Sequence, residues 1–196
     1  SLVNSYRNTG EKKYLDKSVD TIRWWIDQNP KSSGGDGWSS YTIDLRLTNW
    51  LSYYTVVKDE LDDDFHRLLI KSIHEQYEFL SNHLEKDILG NHYFEDLKTL
   101  VLCALFFKDE KILKVALKAF KQECREEILP DGMHFELSPM YHKLIFEGVI
   151  RVAVALKDAG MEDSDINSYL QPMLDAAWSM EEGLERIPLF NDAGNN

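Results

Sequence analysis

The stretch Leu129–Leu156, "LPDGMHFELSPMYHKLIFEGVIRVAVAL", carries both periods from which a fold can be read. Met133, Phe135 and Leu137 alternate with His134 and Glu136, a period of two that suits a strand. That run is too short to carry a sheet. From Pro139 onward the spacing changes. Ile145, Val149, Val152 and Leu156 recur at helical spacing, as on a helix whose one face meets a core. Pro130-Asp131-Gly132 makes a turn. Ser138 is a good N-cap and Pro139 a good first helical residue. A helix is therefore expected from Pro139 to about Ala159, entered through a turn and a short extended run.

The helical period extends to nearly the whole chain. Helices are expected over about Glu11–Gln28, Ser39–Val57, Asp63–Leu84, Asn91–Phe107, Asp109–Ile128 and Asp163–Glu181. Asn29-Pro30 ends the first of these, and the Gly- and Ser-rich "KSSGGDG" (Lys31–Gly37) reads as a loop. Consecutive helices with short connections favour antiparallel hairpins, so the fold class is all-α. One domain over residues 1–186 is expected. The tail "RIPLFNDAGNN" (Arg186–Asn196) breaks the pattern and reads as the start of a linker over 187–196.

Composition narrows the function. The 196 residues are 43% hydrophobic and 29% charged, enough for a real core. A formal net charge of −12 argues against a nucleic-acid or membrane-surface partner, since both need a basic face. No apolar run is long enough to cross a membrane. The opening residues do not form a secretory signal, and localisation stays open. Cys103 and Cys124 lie in apolar helical segments with no CxxC pattern, so buried free thiols are expected.

Against that charge, any anion site must be built locally, and helix openings can build one without net positive charge. Two openings have suitable side chains. In "LGNHYFEDLK" (Leu89–Lys98), Asn91 stands where an N-cap belongs and His92 follows in the first turn. A protonated histidine is disfavoured there by the helix dipole, so a neutral His92 is expected to exchange hydrogen bonds beyond the helix end. In the quoted stretch, Tyr141 and His142 occupy the equivalent place, where the dipole favours negative charge on a side chain. A further polar stripe, Thr42, Arg46, Asn49 and Tyr53, runs beside the apolar stripe of its helix. Arg and Asn there suit sugars or carboxylates better than a plain solvated face would. Each feature also has an ordinary structural explanation: a cap, a tyrosine packed at a helix end, an exposed face.

Taken together and in order, "YTIDLRLTNW" (Tyr41–Trp50), "LGNHYFEDLKTLVLCALFF" (Leu89–Phe107), "ILPDGMHFELSPMYH" (Ile128–His142) and "IPLFNDA" (Ile187–Ala193) resemble the N-terminal helical domain of the heparinase II/III-like and alginate-lyase polysaccharide lyases. The resemblance spans nearly the whole chain. It implies an incomplete (α/α) toroid, followed in that family by a β-sandwich domain that supplies a further catalytic histidine. That domain is expected as a partner in the same parent chain, and these residues alone are expected to have little activity. The resemblance also implies an anionic uronate polysaccharide substrate, cut by β-elimination, and a periplasmic or secreted location. It gives Asn91 and His92 the task of neutralising the uronate carboxylate and makes Tyr141 the catalytic tyrosine. Arg46, Asn49, Glu136 and His142 would line the cleft. Many members carry an arginine after the glutamate of the "HFE" motif, and here that position is Leu137.

The chemistry suits these residue types. Abstracting the C5 proton beside a carboxylate builds an enolate-like charge, which an amide and a histidine can stabilise. An acid/base group then moves the protons at C5 and O4. No cofactor is required. A metal site from His134, Glu136 and His142 lacks the HExxH spacing and is not expected. A glycoside hydrolase would need two flanking carboxylates, and Asp36, Asp44 and Glu136 form no pairing that can be defended. A non-catalytic carbohydrate-binding domain is the third reading. The charge balance leans mildly against a highly sulfated substrate.

Overall fold

The structure is a computed structural model that describes residues 2–31, 34–86, 91–181, 188, 189, 191 and 193. Among the described residues it is all-α: α1 (Leu2–Thr9), α2 (Lys12–Gln28), α3 (Ser40–Val57), α4 (Asp63–Ser81), α5 (Asn91–Phe107), α6 (Glu110–Glu127), α7 (Pro139–Asp158) and α8 (Ser164–Glu181). Short 3-10 turns cover Asp36–Trp38 and Lys58–Glu60. The helices gather into two compact units, Ser1–Leu84 and Glu85–Asn196. No described helix is long and apolar enough to cross a membrane.

In the first unit α1 packs on α2, α3 on α4 and α2 on α4. Ile43, Leu47, Phe65, Leu69 and Ile73 are its buried apolar centre. Helix ends are fixed locally. The Asp62 carboxylate accepts the Phe65 N–H at 2.7 Å and caps α4. The Asn29 side-chain amide donates to the Trp25 carbonyl at the end of α2, just before Pro30.

In the second unit α5 packs on both α6 and α7, and α8 packs on α7 and α6. Helix α5 is buried on every side from Phe94 to Val101, including Asp96 and Thr99 and an ion pair between Glu95 and Lys98. Such burial of paired charge is tolerated because the partners satisfy each other. Gly148 of α7 lies against the Phe94 ring and the Lys98 stem, so closely that a Cβ there would sit 2.6 Å from the ring. The apolar stripe predicted for α7, Ile145, Val149, Val152 and Leu156, is fully buried. Cys103 and Cys124 are buried free thiols, and burial pushes the Cys124 thiol up to about 12.

Three expectations fail locally. Helix α1 has no counterpart in the sequence reading: it is only eight residues long, and its apolar side is short, with Val3 and Tyr6 half-buried. The "MHFEL" run makes only a single antiparallel bridge, Ile128 to His134, and its sides are inverted. His134 is fully buried, whereas Phe135 and Leu137 are 43% and 45% exposed. A hydrogen-bonded polar interior explains the inversion, as described below. Ser138 occupies the N-cap position of α7, but its hydroxyl makes no capping bond and lies buried. The linker expected over 187–196 lies largely outside the described residues.

The connection between α6 and α7 is a tight loop. The Leu129 N–H donates to the Met133 carbonyl, and the Gly132 N–H to the Leu129 carbonyl. Gly132 adopts φ +86°, and a Cβ on it would sit 2.2 Å from the carbonyl oxygen of Pro172 in α8. Both the backbone angle and the space require glycine. Gly160 has φ +70° and open space around it. Gly132→Ala is therefore expected to cost more than about 3 kcal/mol in urea unfolding. Gly160→Ala should cost about 1 kcal/mol. Equal losses would contradict the close approach to α8.

Candidate functional site

Side-chain contacts in the second unit bring two of the predicted helix openings to the same end. The Phe94 ring, in the first turn of α5, lies 4.8 Å from the Phe120 ring near the end of α6. Tyr93 feels the negative charge of Glu123 in the last turns of α6; burial, then Glu123 and Asp96, pushes its hydroxyl up. Glu127, at the end of α6, receives a hydrogen bond from the His134 ring Nε2–H at 3.3 Å. The His134 backbone N–H donates to Nδ1 of His142, in the first turn of α7, at 3.3 Å. Starting from the contact of Gly148 with Phe94 and counting about 1.5 Å of rise per residue, Tyr141 lies about one turn further out than Asn91. Asn91, His92 and Tyr141 thus share one end of this unit, and all three are half-buried rather than sealed in.

What holds the α7 opening is a buried polar network. His142 is fully buried and its ring is fully used: Nε2–H donates to the Met173 carbonyl of α8 at 3.0 Å, and Nδ1 accepts from His134. This fixes a neutral ring, and burial lowers the His142 pKa accordingly. The ring expected to line the cleft instead fastens α7 to α8. His134 is equally buried, and its Nδ1 has no hydrogen-bond partner among the described residues. Glu127 is pushed up chiefly by burial, which the bond from His134 opposes. Because the polar side of the "MHFEL" run makes these bonds, it turns inward, and the apolar side is left outside. Tyr141 follows directly on this framework, and its hydroxyl makes no hydrogen bond among the described residues. Glu136 is half-buried beside the network, and its charge helps raise Glu127.

At the α5 opening, Nδ1 of His92 lies 2.6 Å from a Glu85 carboxylate oxygen. The Glu85 backbone N–H in turn donates to the buried Asp96 carboxylate at 2.6 Å. Glu85 was not singled out in the sequence. It lies in a non-helical stretch seven positions before His92, and no periodic or motif signal links the two.

The other predicted residues belong to the first unit. Arg46 stacks over the Trp25 ring at 3.8 Å, donates from Nε to Gln76 at 2.5 Å and from Nη2 to the Gly37 carbonyl at 2.8 Å. Burial lowers its pKa to about 10. The guanidinium ties α3 to α2, α4 and the loop before α3, a structural task that a planar cation with several donors performs well. Tyr53 is buried and accepts a hydrogen bond from Ser18 at 3.1 Å. Asn49 is exposed, with its amide returned to the Leu45 carbonyl at 2.7 Å. Thr42 donates to the Asp36 carbonyl. No group of three or more histidine, cysteine or acidic side chains able to hold a metal occurs among the described residues.

Carboxylates crowd the shared end of the second unit. Burial, then the charges of Glu127 and Glu126, pushes Glu123 up to about 7. A carboxyl raised in the folded state contributes stability that is complete below its unfolded pKa near 4.5 and is lost as pH rises through about 7. Glu123→Gln removes that loss. The variant is expected to match the parent sequence near pH 4.5 and to exceed it by roughly 1 kcal/mol at pH 8, discounted for partial exposure. Thermal unfolding across pH reads this difference. A variant less stable at pH 8 would contradict the assigned environment.

Comparison with known proteins adds what geometry alone does not. The family model "Heparinase II/III N-terminus" matches residues 1–196. A heparin-sulfate lyase of Pedobacter heparinus is 25% identical over 96% of this chain, and one of Bacteroides thetaiotaomicron is 22% identical over 97%. The chain spans about 30% of the length of each of these relatives. Among solved structures, heparinase III superposes with a TM-score of 0.72 at 20% identity, covering 91% of this chain and 29% of that one. A mutant of the heparan sulfate lyase HepC from Pedobacter heparinus superposes with a TM-score of 0.70 at 20% identity, covering 98% of this chain and 32% of that one. At these identities the superpositions show the fold, the helical class expected from the sequence. With its whole length matched by the family model, the chain belongs to the heparinase II/III family of polysaccharide lyases, as an N-terminal region of it.

Proposed function

We propose that this region is the helical part of a lyase that cleaves a uronate-containing polysaccharide by β-elimination. The observation that carries the reading is the placing of Asn91, His92 and Tyr141 at one end of the second unit, on two helix openings. In this reading the Asn91 amide and the His92 ring meet the uronate carboxylate and stabilise the charge that builds when C5 loses its proton. Tyr141 transfers protons at C5 and O4. Its hydroxyl, uncommitted among the described residues, suits that task better than His142, whose two nitrogens are taken. A β-sandwich domain elsewhere in the parent protein supplies the remaining histidine. Arg46 holds the first unit together, and in the second unit Glu136 is left to contact the polymer.

The relatives' names favour heparin or heparan sulfate as the polymer to test first. The crowd of carboxylates near the site makes a less densely sulfated, uronate-rich stretch the better fit, because like charges repel in a partly desolvated cleft.

Assayed on heparan sulfate by ultraviolet absorbance of the unsaturated product, the full-length protein is expected to be active. Tyr141→Phe should lower turnover by about 10²–10⁴-fold. His142→Gln should act mainly through stability, seen as a lowered unfolding midpoint. Full turnover by Tyr141→Phe would exclude the tyrosine mechanism.

A further inference from the structure

At the N-terminal end of a helix the dipole disfavours a proton on a histidine, and a neighbouring carboxylate opposes the dipole. If His92 is to meet a carboxylate, it must donate to it, and a neutral ring has one N–H. The local structure shows where that proton is drawn. Glu85 places a carboxylate oxygen 2.6 Å from Nδ1 of His92. The pair is partly shielded, the side chains being 35% and 22% exposed. Glu85 is itself held: its backbone N–H donates at 2.6 Å to the carboxylate of Asp96, which is fully buried one turn further into α5. Asp96 therefore fixes the backbone of Glu85, and Glu85 fixes the ring of His92. All three belong to the second unit.

We propose that Glu85 is a positioning residue that sets the orientation and protonation of His92. Its carboxylate accepts Nδ1–H, so that Nε2 is the nitrogen that addresses the substrate. With Nδ1–H alone the ring could only accept a hydrogen bond at Nε2. When a uronate carboxylate arrives, Nε2 takes up a proton from the solvent, and the resulting imidazolium is held between two carboxylates, one on each nitrogen, so that charge is neutralised without any lysine or arginine. A partner that orients a functional imidazole in this way acts like the outer partner of a metal-bound histidine: it fixes the tautomer and the ring. The neighbouring carboxylates do not compete for this place. Glu95 is bound to Lys98, and Asp96 is committed to the Glu85 backbone. The proposal deepens the lyase reading above and rests on it for the substrate, but not for the tautomer.

The test has two arms. In the 196-residue chain labelled with ¹⁵N-histidine, nitrogen spectra at mildly alkaline pH are expected to show His92 protonated at Nδ1. In Glu85→Ala the proton should redistribute to Nε2, with Glu85→Gln intermediate because its amide oxygen still accepts. An unchanged His92 spectrum in Glu85→Ala overturns the proposal. Should Glu85→Ala fail to fold by circular dichroism, the Glu85→Gln spectrum decides alone: partial redistribution supports the proposal and none overturns it. In the full-length protein, Glu85→Ala should lower kcat/KM on heparan sulfate by about 10–100-fold, with most of the activity restored in Glu85→Gln. Wild-type kcat/KM in Glu85→Ala overturns the positioning role even if the spectrum changes. Redistribution of the proton with no cleavage by any form of the protein supports the role of Glu85 toward His92 and instead rejects the lyase reading.

Discussion

The second unit depends on one buried polar chain: Glu127 to the His134 ring, the His134 backbone to His142, and His142 to the carbonyl of Met173. Every link joins a helix end or loop to the next, so α6, the connecting loop, α7 and α8 are fixed together. Such a chain is costly to bury and stabilising only when nearly satisfied. Its geometry explains two features that apolar packing does not. The loop turns its histidine inward and its phenylalanine outward, and Gly132 meets the Pro172 carbonyl with no room for a side chain. Pro172 is itself part of this arrangement. As a proline within α8 it has no N–H to give to the Ser168 carbonyl one turn earlier.

The consequence for function is that Tyr141 is mounted on a rigid base. His142 is its immediate neighbour and cannot move without breaking bonds to two elements. The α5 opening is supported differently, by the short relay from Asp96 through the Glu85 backbone to His92. Both openings therefore have buried polar groups behind a half-buried one. A site on an acidic protein needs this economy. In the proposed site the anion-handling groups come from helix openings rather than from a basic patch.

Much of the fold was legible in the sequence. The apolar period placed α2 to α8 close to their observed ends because most of them bury one stripe, and punctuation such as Asn29-Pro30 and Pro139 set the boundaries. Helix α1 escaped because it is short and none of its side chains is fully buried. The inverted loop escaped because period-two reasoning assumes that apolar side chains go inside, whereas here hydrogen bonding decided the matter. At the candidate site, the resemblance singled out Asn91, His92 and Tyr141, but the sequence did not show which histidines are tied into the packing. His142 was expected to line the cleft, and only the third dimension shows its ring bonded to the Met173 carbonyl of α8. Arg46 looked like a ligand for carboxylates, and Trp25 and Gln76, remote in sequence, had already claimed it. Glu85 carried no local signal, since a folded loop alone brings it to His92.

The central claim is that these openings serve an elimination and not a hydrolysis. The most direct measurement is mass analysis of the products formed by the full-length protein from heparan sulfate in water enriched with heavy oxygen. The account predicts that each cut yields an unsaturated uronate at the new non-reducing end and that no heavy oxygen is gained through cleavage. Saturated products that carry heavy oxygen at the cut would mean that water attacked the bond, and would contradict it.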